Sequence, residues 1–351
     1  MTASPKICYF AGVLTFFGQF LVGYTVDVLS LEGVEWINSL QSTWQAEFKY
    51  PRTAPALVQN SMIPESDDTQ GEIAELEFPI NGRKEEDPGW ISTVPNRFDA
   101  RNYKPWKRCR RIISYVPDQG PSEFVGYASA VAAAASDRLC IHTRGRVRLP
   151  LSAQNILACC HNCGAYDNVY GGSQYNSWAF LTVGIPSGGG FSPRIGCQPY
   201  EMQPCQHFDI SGDREKCSVA RIDKAKCQNR CTNSKYTKSY SEDLRKVQSF
   251  EWLSTNETNI FQEIMTYGPV TAGFDFYEDF ISYKKGVYKH IGGRYITHHK
   301  VKVIGWGIEK GEPYWLCINS WNKDWGLHGL FKISRNNAKV NFEYSFSAGW
   351  F

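Results

Sequence analysis

Apolar positions along the chain fall into distinct regimes. A nearly unbroken apolar run, Phe10-Ala11-Gly12-Val13-Leu14-Thr15-Phe16-Phe17 and then Phe20-Leu21-Val22, follows a short polar leader carrying Lys6. This predicts a secretory signal peptide over 1–24, with an uncleaved N-terminal anchor as the alternative. Residues 25–94 are acidic and turn-rich, as in Glu65-Ser66-Asp67-Asp68 and Arg83-Lys84-Glu85-Glu86-Asp87-Pro88, with one apolar-periodic stretch over 34–44. Such a segment has too little apolar content to fold alone. It reads as a pro-segment lying on a larger domain, or as a plain linker.

The larger domain spans 95–351. The alanine run over 127–138 predicts a buried helix, because alanine favours helix without crowding its neighbours. Gly, Pro and Cys crowd the weakly periodic stretch 184–231, the signature of a crosslinked loop region. After Pro269, Val301-Lys302-Val303-Ile304 and Tyr314-Trp315-Leu316-Cys317-Ile318 read as strands between Gly-containing turns. The expected class is α+β, a helical half followed by a sheet half.

With 42% hydrophobic and 21% charged residues over 351 positions, the chain can bury a sizeable core. Its formal charge is only +3, and no Lys/Arg block forms a phosphate-reading stripe, which argues against nucleic-acid binding. Past the leader no segment is apolar enough to span a bilayer, so no membrane partner is expected once the signal is removed. Of 12 cysteines, setting aside Cys8 in the leader and Cys317 in an apolar run leaves ten, consistent with five disulfides in an oxidising compartment. Parity does not give the pairing. A zinc site at Cys159, Cys160, Cys163 and His161 is the weaker reading there, and no metal or cofactor is implied.

Several segments together resemble papain-type cysteine peptidases, and within them the cathepsin B group: Asp118-Gln119-Gly120, Ser136-Asp137-Arg138-Leu139-Cys140-Ile141-His142, Gly196-Cys197-Gln198-Pro199-Tyr200 and Tyr314-Trp315-Leu316-Cys317-Ile318-Asn319-Ser320-Trp321. Tyr267-Gly268-Pro269-Val270, Gly286-Val287-Tyr288, Gly305-Trp306-Gly307 and Thr43-Trp44-Gln45-Ala46 spread the likeness over most of the chain. The resemblance implies a papain-like two-lobed fold, with a helical lobe facing a β-barrel-like lobe across a cleft. It also implies a nucleophilic cysteine at the start of the central helix, where the helix dipole and an imidazolium favour the thiolate. Carried over residue by residue, Gln119 is the oxyanion donor, His299 the base and Asn319 its orienter, with Trp321 as the shield behind. The implied disulfides are Cys109 with Cys140, Cys159 with Cys227, Cys160 with Cys163, Cys197 with Cys231, and Cys205 with Cys217.

The nucleophile does not carry over. Counting back from Ser136-Asp137-Arg138, its position holds Gly126, and no cysteine of any kind lies between Cys109 and Cys140 to be recovered by shifting a gap. Ser122 and Ser129 are the nearby hydroxyls, one in the preceding loop and one about a turn into the helix. A family disulfide is also missing at both ends, around 121–123 and at Val169. An occluding loop is expected around Cys205-Gln206-His207-Phe208, where only the first of the family's two histidines survives; His207 is placed to meet Asp118, while Phe208 offers no charge to a substrate carboxylate. Ser345 stands where many relatives carry an acidic residue deep in a specificity pocket.

Plainer readings accompany these. Strand alternation puts His299 on one face with Val301 and Val303, which suits a core histidine equally well. Gln119 can simply bond a loop, Asn319 and Trp321 can persist as packing, and His207 with Asp118 can only pin the loop. Gly171-Gly172 suits either close approach of an extended peptide or a tight turn. Asn256-Glu257-Thr258 is a glycosylation acceptor sequence. The expectation is a secreted or lysosomal, catalytically inactive peptidase homologue whose cleft takes a peptide, an inhibitor or a protein, with its own pro-segment as a further partner. A working peptidase with a non-standard nucleophile and a purely structural secreted protein are the alternatives.

Overall fold

Two groups of buried side chains, rather than one, organise the chain. The computed structural model describes residues 26–40, 42–48, 94–122, 125–164, 172–205, 217, 225–335 and 339–351. Val125, Val131, Leu139, Ile156 and Trp178 belong to one core, and Phe274, Phe280, Val303, Trp315 and Phe331 to another. The first core is helical. It is built on the central α3 (Gly126–His142), which α4 (Ala153–Cys159) and α5 (Gln174–Phe180) flank, while α1 (Leu31–Ser39) and α2 (Arg110–Ile113) send Val34, Ile37 and Ile113 into the second core. Within α3 only Ala133, Ile141 and His142 are not buried, since its alanines let neighbours approach from every side. The helix outruns the expected 127–138. It stops where Arg144 and Gly145 adopt φ of 53° and 78° and the Gly145 N–H turns back to the Cys140 carbonyl at 2.8 Å.

The helical side carries the crosslinks. Disulfides join Cys109 to Cys140, Cys159 to Cys227, Cys160 to Cys163, Cys197 to Cys231 and Cys205 to Cys217, while Cys317 is a buried free thiol. Three of the residues weighed as zinc ligands, Cys159, Cys160 and Cys163, are therefore bridged. Between α5 and α6 (Tyr240–Asp243) the described residues form no helix or strand, as the Gly, Pro and Cys content predicts.

The second core lies under the sheet. Its strands are β1 (Trp44–Ala46), β2 (Phe98–Asp99), β3 (Ser249–Trp252), β4 (Val270–Tyr277), β5 (Tyr283–Tyr288), β6 (Tyr295–Glu309), β7 (Glu312–Ile318), β8 (Leu330–Ser334) and β9 (Ser347–Trp350), with helices α7 (Glu257–Tyr267) and α8 (Glu278–Ile281) between them. The hydrogen-bonded order is β1-β5-β8-β7-β6-β4-β9-β3, with β2 on β6. The path ends at β1 and β3, so the barrel-like lobe is an open sheet rather than a closed ring. Among the described residues only β5 and β8 pair parallel.

The stretch over 34–44 is two elements, not one. Ser30 caps α1 by accepting from Gly33 N at 2.9 Å, the helix ends by Leu40, and β1 then pairs with β5. Trp44 is buried between Tyr283 and Tyr288 and donates to the Lys289 carbonyl at 2.8 Å. The start of the chain thus adds a strand to the sheet.

Charged pairs join the two cores across α3. Asp137 accepts from Lys302 of β6 at 2.8 Å, and Arg138 meets Glu263 of α7 at 2.5 Å, all four side chains being almost inaccessible. Arg138 also donates to the Gly349 and Gly268 carbonyls at 2.8 and 3.1 Å. Strand alternation alone would send Lys302 outward. It is buried because β6 is covered on both faces and Asp137 neutralises its charge.

Candidate active-site cleft

Gly126 opens α3 at the boundary between the lobes. An ideal Cβ built on it would lie 3.1 Å from His299 Cε1, 3.3 Å from His299 Nδ1 and 3.3 Å from Gln119 Oε1. A side chain at this position would therefore point between the imidazole and the carboxamide. The helix contributes the partial positive charge of its first turn there.

His299 is buried on β6 and fixed by Asn319, whose Oδ1 lies 2.8 Å from Nε2. Asn319 Oδ1 also accepts from the Ser320 N–H at 2.8 Å, which identifies that atom as the oxygen. Nε2 must then carry the proton, and the Nδ1 lone pair faces Gly126. The cost of this aim is visible in Asn319 Nδ2, buried with no hydrogen-bond partner among the described residues. Trp321 covers the ring at 5.1 Å with a 33° tilt, and Phe274 meets it edge-on at 5.8 Å. Burial pushes the imidazole down to about 4; the Asn319 bond works against this and Lys300 adds to it. The site holds a neutral base with no acidic hydrogen in front of it.

Gln119 is fully buried in the loop before α3. Its Nε2 donates to the Ser122 carbonyl at 2.7 Å, and its Oε1 accepts from Ser320 Oγ at 2.5 Å. A backbone carbonyl can only accept, so the NH2 group must face Ser122 and the amide oxygen faces position 126. Ser122 and Ser129 are both buried. The nearby loop is held by Asp118, which accepts from Gly120 N at 2.9 Å and from Asn322 Nδ2 at 3.0 Å.

Thus Gln119, Gly126, His299, Asn319 and Trp321 converge. Ser345 does not touch them: its Oγ accepts from Gly273 N at 2.7 Å and donates to Gly273 O at 2.6 Å. Gly172 lies against Tyr127, whose ring would be 2.1 Å from a Cβ built there. That close packing requires glycine irrespective of any ligand. Gly171, His207, Phe208 and Val169 lie outside the described residues, as do 1–25 and 49–93. The alternation reading missed Ser320, which holds Gln119, and the neighbours His298 and Lys300, which flank His299 in β6 and lie over Gly273. The signal was available in three consecutive basic residues opening a buried strand, His298-His299-Lys300.

The described sulfur atoms do not reach this site as thiols: ten cysteines are bridged, and Cys317 lies inside the sheet core, paired opposite Phe331. Among the described residues no group of His, Cys, Asp and Glu is placed to hold a metal ion, and no helix is long and apolar enough to cross a membrane.

Comparison with known proteins fits this geometry. The model of the papain family cysteine proteases matches residues 94–350. The chain is 35% identical over 321 residues to cathepsin B-like cysteine proteinase 4 of Caenorhabditis elegans, covering 90% of each chain. It is 37% identical over 257 residues to a cathepsin B-like cysteine proteinase of Schistosoma japonicum, covering 73% of each. Among solved structures, procathepsin B S9 from Trypanosoma congolense matches with a TM-score of 0.69 at 28% identity, over 92% of this chain and 98% of that one. A digestive procathepsin L2 from Tenebrio molitor shares the fold, with a TM-score of 0.59 at 22% identity over 92% and 90% of the two chains. With its two lobes, its bridged helical side and its His299–Asn319 pair, this chain belongs to the papain family of cysteine proteases and has cathepsin B-like relatives.

Proposed function

We propose that this chain is a cathepsin B-like protein without peptidase activity, whose cleft binds a peptide, an inhibitor or a protein ligand. The observation that carries this reading is Gly126: the one position whose side chain would point between His299 Nδ1 and Gln119 has no side chain. Acyl transfer in this family needs an attacking thiolate, and a neutral imidazole alone supplies none. Buried Ser122 and Ser129 offer no substitute.

The scaffold persists because crosslinks and burial do not depend on the nucleophile. We place a signal peptide at 1–24, a pro-segment at 25–94 and the peptidase-like domain at 95–351, with a destination outside the cell or in the lysosome. The docking of α1 and β1 on the sheet, and the likeness to procathepsins, support the pro-segment assignment. Self-cleavage requires the missing thiolate, so the segment stays attached unless another protease cuts near 93–95.

The test is direct. Purified protein is incubated with a thiol-directed epoxide probe and with fluorogenic dipeptide substrates, and separately titrated by calorimetry with cystatin-type inhibitors and peptides. No labelling, no turnover and measurable binding heat are expected. Turnover would overturn the inactivity, and absence of heat across the panel would overturn the binding role.

A further inference from the structure

The strand that carries His299 has a further feature in the two residues that flank it. In the β4–β6 register, Gly273 lies opposite Lys300, Phe274 opposite His299 and Asp275 opposite His298. The side chains of His298 and Lys300 both lie over Gly273: a Cβ there would be 2.4 Å from His298 Cε1 and 2.8 Å from Lys300 Cδ. A side chain there would displace one or both of the pair. The floor beneath is rigid, because Ser345 clamps both the N–H and the carbonyl of Gly273, and Gln174 of α5 in turn donates to the Ser345 carbonyl.

Lys300 Nζ donates to His298 Nδ1 at 2.5 Å and to the His298 carbonyl at 3.2 Å. An ammonium has three N–H groups, so one remains, and it has no partner among the described residues. No carboxylate of the described residues forms an ion pair with Lys300. Asp275, whose charge partly offsets the effect of burial on it, is held by Asn341 Nδ2 at 2.6 Å. A half-buried lysine with an imidazole partner, an open donor and no counter-ion is poorly neutralised. Burial accordingly lowers Lys300 to about 8, yet it remains mostly protonated at neutral pH.

We propose that Lys300 and His298, laid over Gly273, form a cationic subsite that receives a carboxylate of an extended peptide, so that the cleft selects acidic ligands. This rests on the reading of the cleft as a binding surface. The spare Lys300 N–H supplies a charge-assisted bond, and Ser345 holds the floor without adding charge. The carboxylate can come from an Asp or Glu side chain or from a peptide's free C-terminus.

The full-length chain, before and after nicking near 93–95 by an added endopeptidase, is titrated with fluorescent blocked peptides. Glu, Gln or Lys is walked through each position, and an all-Gln peptide carries a free C-terminal carboxylate. We expect at least one Glu peptide to bind about tenfold more tightly than its Gln counterpart, the size of one charged hydrogen bond, and the Lys peptide more weakly. Lys300→Met should bring Glu and Gln within about twofold while Gln-peptide affinity holds, and Lys300→Arg should keep the preference. A gain confined to the free terminus supports the subsite with the terminus as the source. His298→Gly, which removes the partner, gives a second variant should Lys300→Met fold poorly, and it should weaken the same preference. Equal affinity for Glu and Gln peptides, with binding retained, sinks the subsite alone. Failure of every peptide to bind sinks the binding reading and the subsite with it.

Discussion

The two ends of α3 face the same sheet and differ in completeness. At its C-terminal end, Asp137 and Arg138 find buried counter-charges in Lys302 and Glu263, and Arg138 also satisfies two carbonyls from other segments. At its first residue, Gly126 presents no side chain to an imidazole whose Nδ1 is aimed at that spot. The first set of contacts holds the lobes together and the second is a site for chemistry. On the proposed reading, in which position 126 has lost an attacking group, the join stays intact because residues 12 positions further on carry it, counting from 126 to 138. The lesson is that fold and reaction can separate along a single helix.

The sharpest way to break this contrast is to place a thiol where the proposed reading finds none. Gly126→Cys should turn absent epoxide labelling into stoichiometric labelling, because His299 and Gln119 need give only a few tenths of an ångström to admit the Cβ. Adding His299→Ala should then slow labelling about a hundredfold, the range expected for losing a positioned base. A thiolate beside the ring should also raise the His299 pKa from about 4, which imidazole NMR would follow. If the double variant labels as fast as the single one, the aim of Nδ1 has no chemical meaning.

Next in size is the opposite end of the helix. Arg138→Met keeps volume but leaves Glu263 buried without its partner, and about 3 to 5 kcal/mol of stability should be lost in chemical denaturation. Pairing it with Glu263→Gln should recover a large share, since the cost lies in the uncompensated charge. A small loss in the single variant would show that the lobe join does not depend on this pair.

A third test uses pH. Folded His299 stays neutral down to about 4, whereas the unfolded imidazole binds a proton near 6.5. Between those values the unfolded chain takes up the proton first, so this contribution is complete above about 6.5 and is lost as the pH falls toward 4. His298, held down to about 3 by burial and by Lys300 and His299, acts with the same sign. Asp137 opposes them: burial raises it to about 6, so the folded chain binds that proton earlier. His299→Gln should reduce the stability lost between about pH 7 and pH 4.5 by about 2 to 3 kcal/mol, read from denaturation midpoints. An unchanged pH slope would mean that the ring is less desolvated than its packing against Trp321 and Phe274 implies.

Much of this was legible before any coordinates. The alanine run placed α3, and the apolar strands over 301–304 and 314–318 fell inside β6 and β7, because those signals are local. The disulfide partners came only through the family likeness, since parity cannot choose among pairings. Lys302 was not legible: a charged residue reads as outward until its partner Asp137, 165 positions away in sequence, is brought beside it. The roles of His298 and Lys300 were hidden for the same reason, because Gly273 makes their room from a different strand. The stretch over 34–44 misled because its apolar residues serve two structures, Val34 and Ile37 in a helix and Trp44 in an added strand.

The smallest expected effect separates two serines on α3. Ser136 Oγ donates to the Ala132 carbonyl at 2.5 Å and accepts from the buried Leu151 N–H at 2.8 Å, so Ser136→Ala leaves a backbone donor unsatisfied and should cost about 1 to 2 kcal/mol. Ser129 lies one turn from Gly126 and is equally buried, but no such bond ties it to another segment among the described residues. Ser129→Ala should change stability by less than about 0.5 kcal/mol and leave hydrolysis at background. The pair repeats the contrast of the helix ends at the level of single hydroxyls: one joins segments, and the other stands one turn from Gly126, where the proposed reading gives it no role. Should Ser129→Ala abolish a measurable turnover in the parent chain, the hydroxyl rather than the absent thiol would be the working group, and the inactive reading of Gly126 would fail with it.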